Sequence, residues 1–98
     1  MVNLNPTQGT EVQKIRPCLI VSPDEMNQHL LTAIIAPMTT VIRTYPTRVL
    51  ARFQGKSGQV ALDQLRAVDR RRLIRRLGTI STNTASAISA TLLEMFSR

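Results

Sequence analysis

Three short stretches of this chain hold residues whose types suit work on a phosphate. Arg16 stands immediately before Pro17, Thr39 and Thr40 follow Pro37 and Met38, and Asp63-Gln64 interrupts an apolar run. An arginine presents a planar fork of donors that matches non-bridging phosphate oxygens. A threonine hydroxyl adds another donor, and a carboxylate can accept a proton. Meeting over one concave rim, the three would suit a phosphodiester. Neither Pro17 nor Pro37 can donate to a sheet ladder, so Arg16 and Thr39 are expected at the rim of a sheet. Plainer readings stand beside this one: Thr39-Thr40 as the cap of a turn, and Asp63 as a buried, hydrogen-bonded residue of a bulge.

The inventory of side chains narrows the chemistry. His29 is the only histidine, which excludes a two-histidine ribonuclease site within one chain and any His-rich metal site. The sequence shows no Ser-His-Asp set, no phosphate-binding glycine loop and no carboxylate cluster suited to Mg²⁺. Chemistry without metal or cofactor is therefore expected, with His29 as a solvated loop residue. Cys18 is the lone cysteine and lies in an apolar run; it reads as a small hydrophobe, with a reactive thiol as the alternative.

Charge points to the partner. Lys and Arg number 13 against 6 Asp and Glu, for a net +7, and all but two of the cations are Arg. So positive a chain suits nucleic acid, an acidic protein or an anionic membrane surface. The run Arg70-Arg71-Arg72 with Arg75-Arg76 reads either as an RNA groove or as a solvated face that docks an acidic partner. No apolar run nears the ~20 residues of a membrane span, and no leader pattern opens the chain, so a cytoplasmic location is expected.

These residues need a scaffold, and 98 residues allow one domain, residues 1–98, with a thin core. Residues 3–10 read as a strand end entering a polar loop. Strands are expected over 17–22, over 31–36 with Pro37 as terminator, and over 48–53, separated by a helical turn at 24–30. Gly55-Lys56-Ser57-Gly58 reads as a hairpin turn into 59–62. That strand continues through 64–68 past a bend near Asp63. A helical turn at 69–73 and a last strand over 74–80 follow. Ala85, Ile88, Leu92, Met95 and Phe96 then recur at helical spacing behind a cap at Ser81, Thr82 or Asn83. The fold class is mainly β, a small curved antiparallel sheet with an amphipathic C-terminal helix packed on it.

Order and spacing together resemble the MazF/PemK family of type II toxin–antitoxin endoribonucleases (mRNA interferases). The matching stretches are Thr7-Gln8-Gly9-Thr10-Glu11, Arg16 to Pro23 with Asn27, Pro37 to Thr40, Gly58 to Asp69, and Arg72 to Gly78. The resemblance implies a partly open barrel like that of the gyrase poison CcdB, of the Src-homology-3-like type, paired as a homodimer. It implies a toxin that cuts single-stranded mRNA at specific sequences, without metal or cofactor, through attack by the 2′-hydroxyl. Arg16, Thr39 and Asp63 fall on catalytic positions; Gln8, Glu11, Thr40, Gln64 and Arg66 fall on RNA-binding ones. A cognate antitoxin with an acidic tail is the implied protein partner. Because a guanidinium holds its proton, Arg16 suits charge stabilisation and Asp63 suits the proton acceptor.

The chain departs from the pattern at its start. Relatives carry a Gly-[Asp/Glu]-Ile-aromatic stretch before the point where Met1 stands, so the first strand is expected to lack its first half. A non-catalytic interaction protein on the same fold is the competing expectation, either a gyrase-directed poison or a degenerate binder of RNA or antitoxin. The absence of Trp counts against the former.

Overall fold

A computed structural model describes residues 1–3 and 15–97. In chain order the elements are β1 (Val2–Asn3), β2 (Ile15–Arg16), β3 (Cys18–Ile20), α1 (Asp24–His29), β4 (Thr32–Thr39), β5 (Arg48–Phe53), β6 (Lys56–Ala61), a 3-10 turn (Leu62–Gln64), β7 (Arg66–Asp69), a second 3-10 turn (Arg70–Arg72) and α2 (Thr82–Phe96). Strands β3 to β7 form a curled antiparallel half-barrel with α2 as its C-terminal helix, while β1 and β2 pair separately.

β4 is the axis of the sheet. β3 lies on one edge, with Cys18 opposite Pro37 and Ile20 opposite Ile35. The other edge is shared: β6 pairs with its end, Thr39 opposite Gln59, and β7 with its start, Thr32 opposite Asp69. The three residues Leu62–Gln64 leave the ladder between β6 and β7, the bend expected near Asp63. Pro37 was expected to terminate the strand, yet β4 runs through it. The reason is directional. The Met38 N–H donates to the Pro17 carbonyl at 3.0 Å, so even-numbered residues of β4 bond towards β3 and odd ones towards β6 and β7. Pro37 faces the gap left by the 3-10 turn, where no N–H is required.

The two faces of the sheet are covered unequally. Ala36, Val49, Ala51, Val60 and Leu62 pack with Ile88 of α2, and Met38, Leu92 and Met95 close around them. On the opposite face a smaller cluster joins Val2, Ile35 and Val68, with Cys18 and Leu73 against it. Ser81 caps α2, its Oγ accepting from the Thr84 N–H at 3.1 Å. Ile88, Leu92 and Met95 line one stripe. Phe96, assigned by spacing to that stripe, lies roughly 80° around the helix from Ile88 and is 70% exposed.

Two further expectations change. Residues 74–80 form no strand: Leu73 bridges Val2, the Ile74 N–H donates to Met1 O, and the Met1 amino group donates to Arg75 O, each bond at 2.9 Å. Among the described residues the apolar pattern over 74–80 is met by these contacts with Met1 and Val2 and by no ladder. The β5–β6 turn is also shorter than expected. Gln54 (φ 52°) and Gly55 (φ 77°) make a two-residue hairpin, and Lys56 to Gly58 already belong to β6. Gly58 serves a different need, since a Cβ there would collide with the Thr39 carbonyl. Gly58→Ala is expected to lower stability by about 1–3 kcal/mol, read as a lower urea midpoint, and to disturb the backbone of Thr39.

Candidate active site

A row of side chains crosses the sheet on the face away from α2. Leu50 of β5 lies opposite Gln59 of β6, and Gln59 lies opposite Thr39 of β4. The Met38 N–H bond to Pro17 O carries the β3–β4 register as far as Pro17, so Arg16 and Thr39 each stand one residue beyond that bond, and Arg16 itself pairs with Val2 of β1. Opposed residues on antiparallel strands share a face, and Met38 and Val60, one position along, belong to the cluster under α2. The helix therefore backs the sheet while the row lies on the other side, with Gln59 at its middle covered and Leu50 exposed.

Arg16 and Thr39 are the residues next to the last hydrogen bond between these two segments. The Arg16 guanidinium has no acidic partner among the described residues, and the residue is exposed. Arg66 of β7, opposite Ile35, approaches the same region from the far edge of β4. Both guanidinium groups act on the Cys18 thiol. Burial pushes that thiol up, while the Met1 amine, Arg16 and Arg66 pull it down. Cys18 is half-buried against Ile35, nearer a small hydrophobe than an exposed nucleophile. Thr39 Oγ1 accepts from the Val41 N–H at 3.0 Å, so its oxygen caps the turn while its proton stays available to a ligand. Thr40 follows, exposed.

Asp63 is placed differently. Arg48 Nε and Nη2 reach its two carboxylate oxygens at 2.7 and 3.3 Å, and Thr47 Oγ1 donates to Oδ1 at 3.1 Å. The Arg48 hydrogen bonds, ahead of the Thr47 contact, hold its carboxyl below the usual range. The Arg48 side chain is only 7% exposed and that of Asp63 31%. This clamp draws Asp63 towards β5, across β6 and β4 from the strand that carries Arg16. Gln64 beside it is exposed. Gln8 and Glu11 lie outside the described residues.

Sequence reasoning missed Gln59. Its side chain is 5% exposed, with Nε2 donating to Arg43 O at 2.9 Å and Oε1 accepting from Arg43 N–H at 3.0 Å. It pins the loop over 40–47 to the sheet beside Thr39. The one available signal was a polar residue in an apolar strand directly after Gly58.

The arginine run lies elsewhere. Asp69 and Thr32 mark the end of β4 opposite Thr39, roughly 23 Å away at strand rise. There Arg71 pairs with Asp69 at 2.9 Å, holding that carboxyl at about 2, and Arg70 Nη1 reaches Leu30 O at 3.4 Å. An apolar cleft of ≈ 680 Å³ opens between β3, residues 73–80 and α2, with Arg75 and Arg76 on its wall and Val2, Pro17 and Cys18 also lining it.

The fold is a small basic half-barrel domain with Thr39 and Gln59 on the sheet face opposite α2. Over residues 1–96 the chain matches the family described as PemK-like, MazF-like toxin of type II toxin-antitoxin system, and it belongs to that family. It is 29% identical over 90 residues to the endoribonuclease toxin MazF of Escherichia coli (strain K12), covering 91% of this chain and 81% of that one. Among solved structures, MazF from Deinococcus radiodurans superposes with a TM-score of 0.79 at 26% identity, covering 99% of this chain and 90% of that one. A mycobacterial endoribonuclease in complex with its cognate antitoxin gives 0.77 at 26% identity, covering 95% and 86%.

The clamp makes a prediction about acid stability. Asp63 has a lowered folded pKa, so its contribution is complete above the unfolded value of about 3.9 and disappears as pH falls through the folded one. Asp63→Asn should flatten the acid limb of stability against pH. Asp63→Asn and Arg48→Gln should each lower the urea midpoint, and the double variant should lose less than their sum.

Proposed function

We propose that this toxin is an endoribonuclease that cleaves single-stranded RNA, mRNA in the cell, at specific sequences without a metal. The 2′-hydroxyl attacks the adjacent phosphorus, leaving a 2′,3′-cyclic phosphate and a 5′-hydroxyl. The observation that supports this reading is the Met38–Pro17 hydrogen bond, which has Arg16 and Thr39 as its immediate neighbours on the two segments it joins. A guanidinium keeps its proton in a protein, so Arg16 neutralises charge on the pentacoordinate phosphorus rather than acting as base. Thr39 donates its free hydroxyl proton to a non-bridging oxygen. Thr40, Gln64 and Arg66 hold flanking nucleotides, as do Gln8 and Glu11 by family resemblance.

Asp63 was the candidate proton acceptor, and its partners weigh on that role. A carboxylate gripped by Arg48 and Thr47 is a weakened base, because both partners stabilise its charged form. The better assignment is an anchor that fixes the wall of the site. The two roles separate by kinetics. Loss of an anchor raises KM and leaves the pH profile of kcat in place, whereas loss of a base removes its acidic limb.

The active unit we propose is a homodimer that a cognate acidic antitoxin neutralises. Large exposed apolar residues on α2, namely Leu93 and Phe96, suit burial against protein. The net charge of +7 suits an acidic partner as well as RNA. A cytoplasmic location accords with an mRNA substrate, and no described helix is long and apolar enough to cross a membrane.

A defined RNA incubated in EDTA, with both new ends mapped, tests the activity. Cleavage to the stated termini is expected. Intact RNA alongside tight binding would instead favour a non-catalytic binder. Arg16→Ala is expected to lower kcat by about a hundredfold or more, with little change in the affinity for an uncleavable analogue. Equal losses in both would reduce Arg16 to a phosphate clamp.

A further inference from the structure

The loop over 40–47 leaves the site directly after Thr39 and returns at β5. It is held at several points. Val41 N–H binds Thr39 Oγ1, both main-chain groups of Arg43 bind the Gln59 amide, and Thr47 O accepts from Leu62 N–H at 3.1 Å. Arg48 N–H donates to Tyr45 O at 3.1 Å. Within this fixed loop stands Tyr45, the only tyrosine of the chain and 52% exposed. The Arg48 guanidinium carbon lies 5.3 Å from the centre of its ring. That guanidinium is itself immobilised by Asp63 and almost wholly covered.

Tyr45 is therefore an aromatic ring braced by a planar cation, on a loop tied down by its own backbone, with half its surface open. An exposed side chain usually loses rotamer freedom when it binds; here much of that ordering is already made. A rigid π-face beside an anion-holding row suits a nucleobase, since every base offers a π-face of its own. Residues 40–47 contain no acid to repel a phosphate chain and include Arg43. The row from Leu50 through Gln59 to Thr39 spans two strand spacings, about 10 Å. Arg48 sits two residues from Leu50 along β5 and shares its face. One RNA strand can reach both Thr39 and the ring.

We propose that the open side of Tyr45 is a stacking platform for a nucleobase of the RNA strand bound at the Arg16–Thr39 row, with Arg48 as a positioning residue behind the ring. This rests on the endoribonuclease reading above. The clamp on Asp63 thereby gains a purpose: it fixes the cation that fixes the ring.

The test uses RNA blocked against cleavage by 2′-deoxy substitution, with 2-aminopurine moved along it one position at a time. Wild-type protein and Tyr45→Phe are expected to quench the fluorescence at a particular position near the cleavage site. Tyr45→Leu should lose that quenching and bind about tenfold more weakly, with an unchanged thermal melt and a larger effect on KM than on kcat. Quenching at no position by a wild-type protein that cleaves RNA would overturn the proposal and leave the activity standing. Unchanged affinity and quenching in Tyr45→Leu would overturn it too, and if that variant weakened self-association instead, the ring would belong to a protein contact. A wild-type protein that neither binds nor cleaves RNA would remove the endoribonuclease reading and this inference together.

Discussion

Pro37 has no N–H to give, and a strand in mid-sheet can carry it only where the neighbouring ladder is absent. In this fold β4 meets that constraint at the junction of β6 and β7, where Leu62–Gln64 steps out of the sheet. Much else depends on that three-residue step. It drops Leu62 into the core beneath α2, where it is fully covered. It also lifts Asp63 off the sheet surface to meet Arg48 and Thr47, and the Leu62 N–H ties the turn to the end of the 40–47 loop. A continuous β6–β7 strand would place its own carbonyl opposite Pro37 with no N–H to bond it, and would remove the anchor of the loop. A backbone defect in one strand is accommodated by an interruption in its neighbour, and the interruption is where Asp63 meets Arg48.

The apolar core alone is a modest source of rigidity. Most of its fully covered residues are alanine and valine, and α2 contributes a single buried residue, Ile88. Positional accuracy at the site comes from buried polar groups whose partners are main-chain atoms. Gln59 is the clearest case. An amide removed from water is unfavourable unless bonded, and both ends of this one are bonded to Arg43. No buried side-chain nitrogen or oxygen among the described residues lacks a partner. Ser22 does comparable work at the other end of β4. Its Oγ accepts from Ile34 N–H at 3.0 Å and its hydroxyl donates to Asn27 Oδ1, which fastens α1 to the sheet.

Much of this was legible in the sequence, for reasons that differ by element. Prolines and glycines punctuate the chain, so the existence of β3, β4, β5 and α2 followed from local chemistry. Arg16 and Thr39 were legible as a pair because each stands at a fixed offset from a proline. The clamp was not, because Arg48 and Asp63 meet only through a hairpin whose register no local pattern encodes. The hairpin itself was misplaced for the same reason. Gly55 and Gly58 look alike in sequence, yet one supplies a left-handed backbone and the other supplies clearance beneath Thr39. Residues 74–80 show the limit of apolar patterning: it reports extended chain, while a strand also requires a neighbour with free ladder groups.

The hold of Gln59 on the loop has one more consequence. Its amide grips the nitrogen and the carbonyl of Arg43, groups that every residue but proline possesses, so the grip is indifferent to which side chain position 43 carries. A loop secured in this way behaves as a cassette. Substitutions along its outer surface can accumulate while its path, and the position of Thr39 at its root, stay fixed.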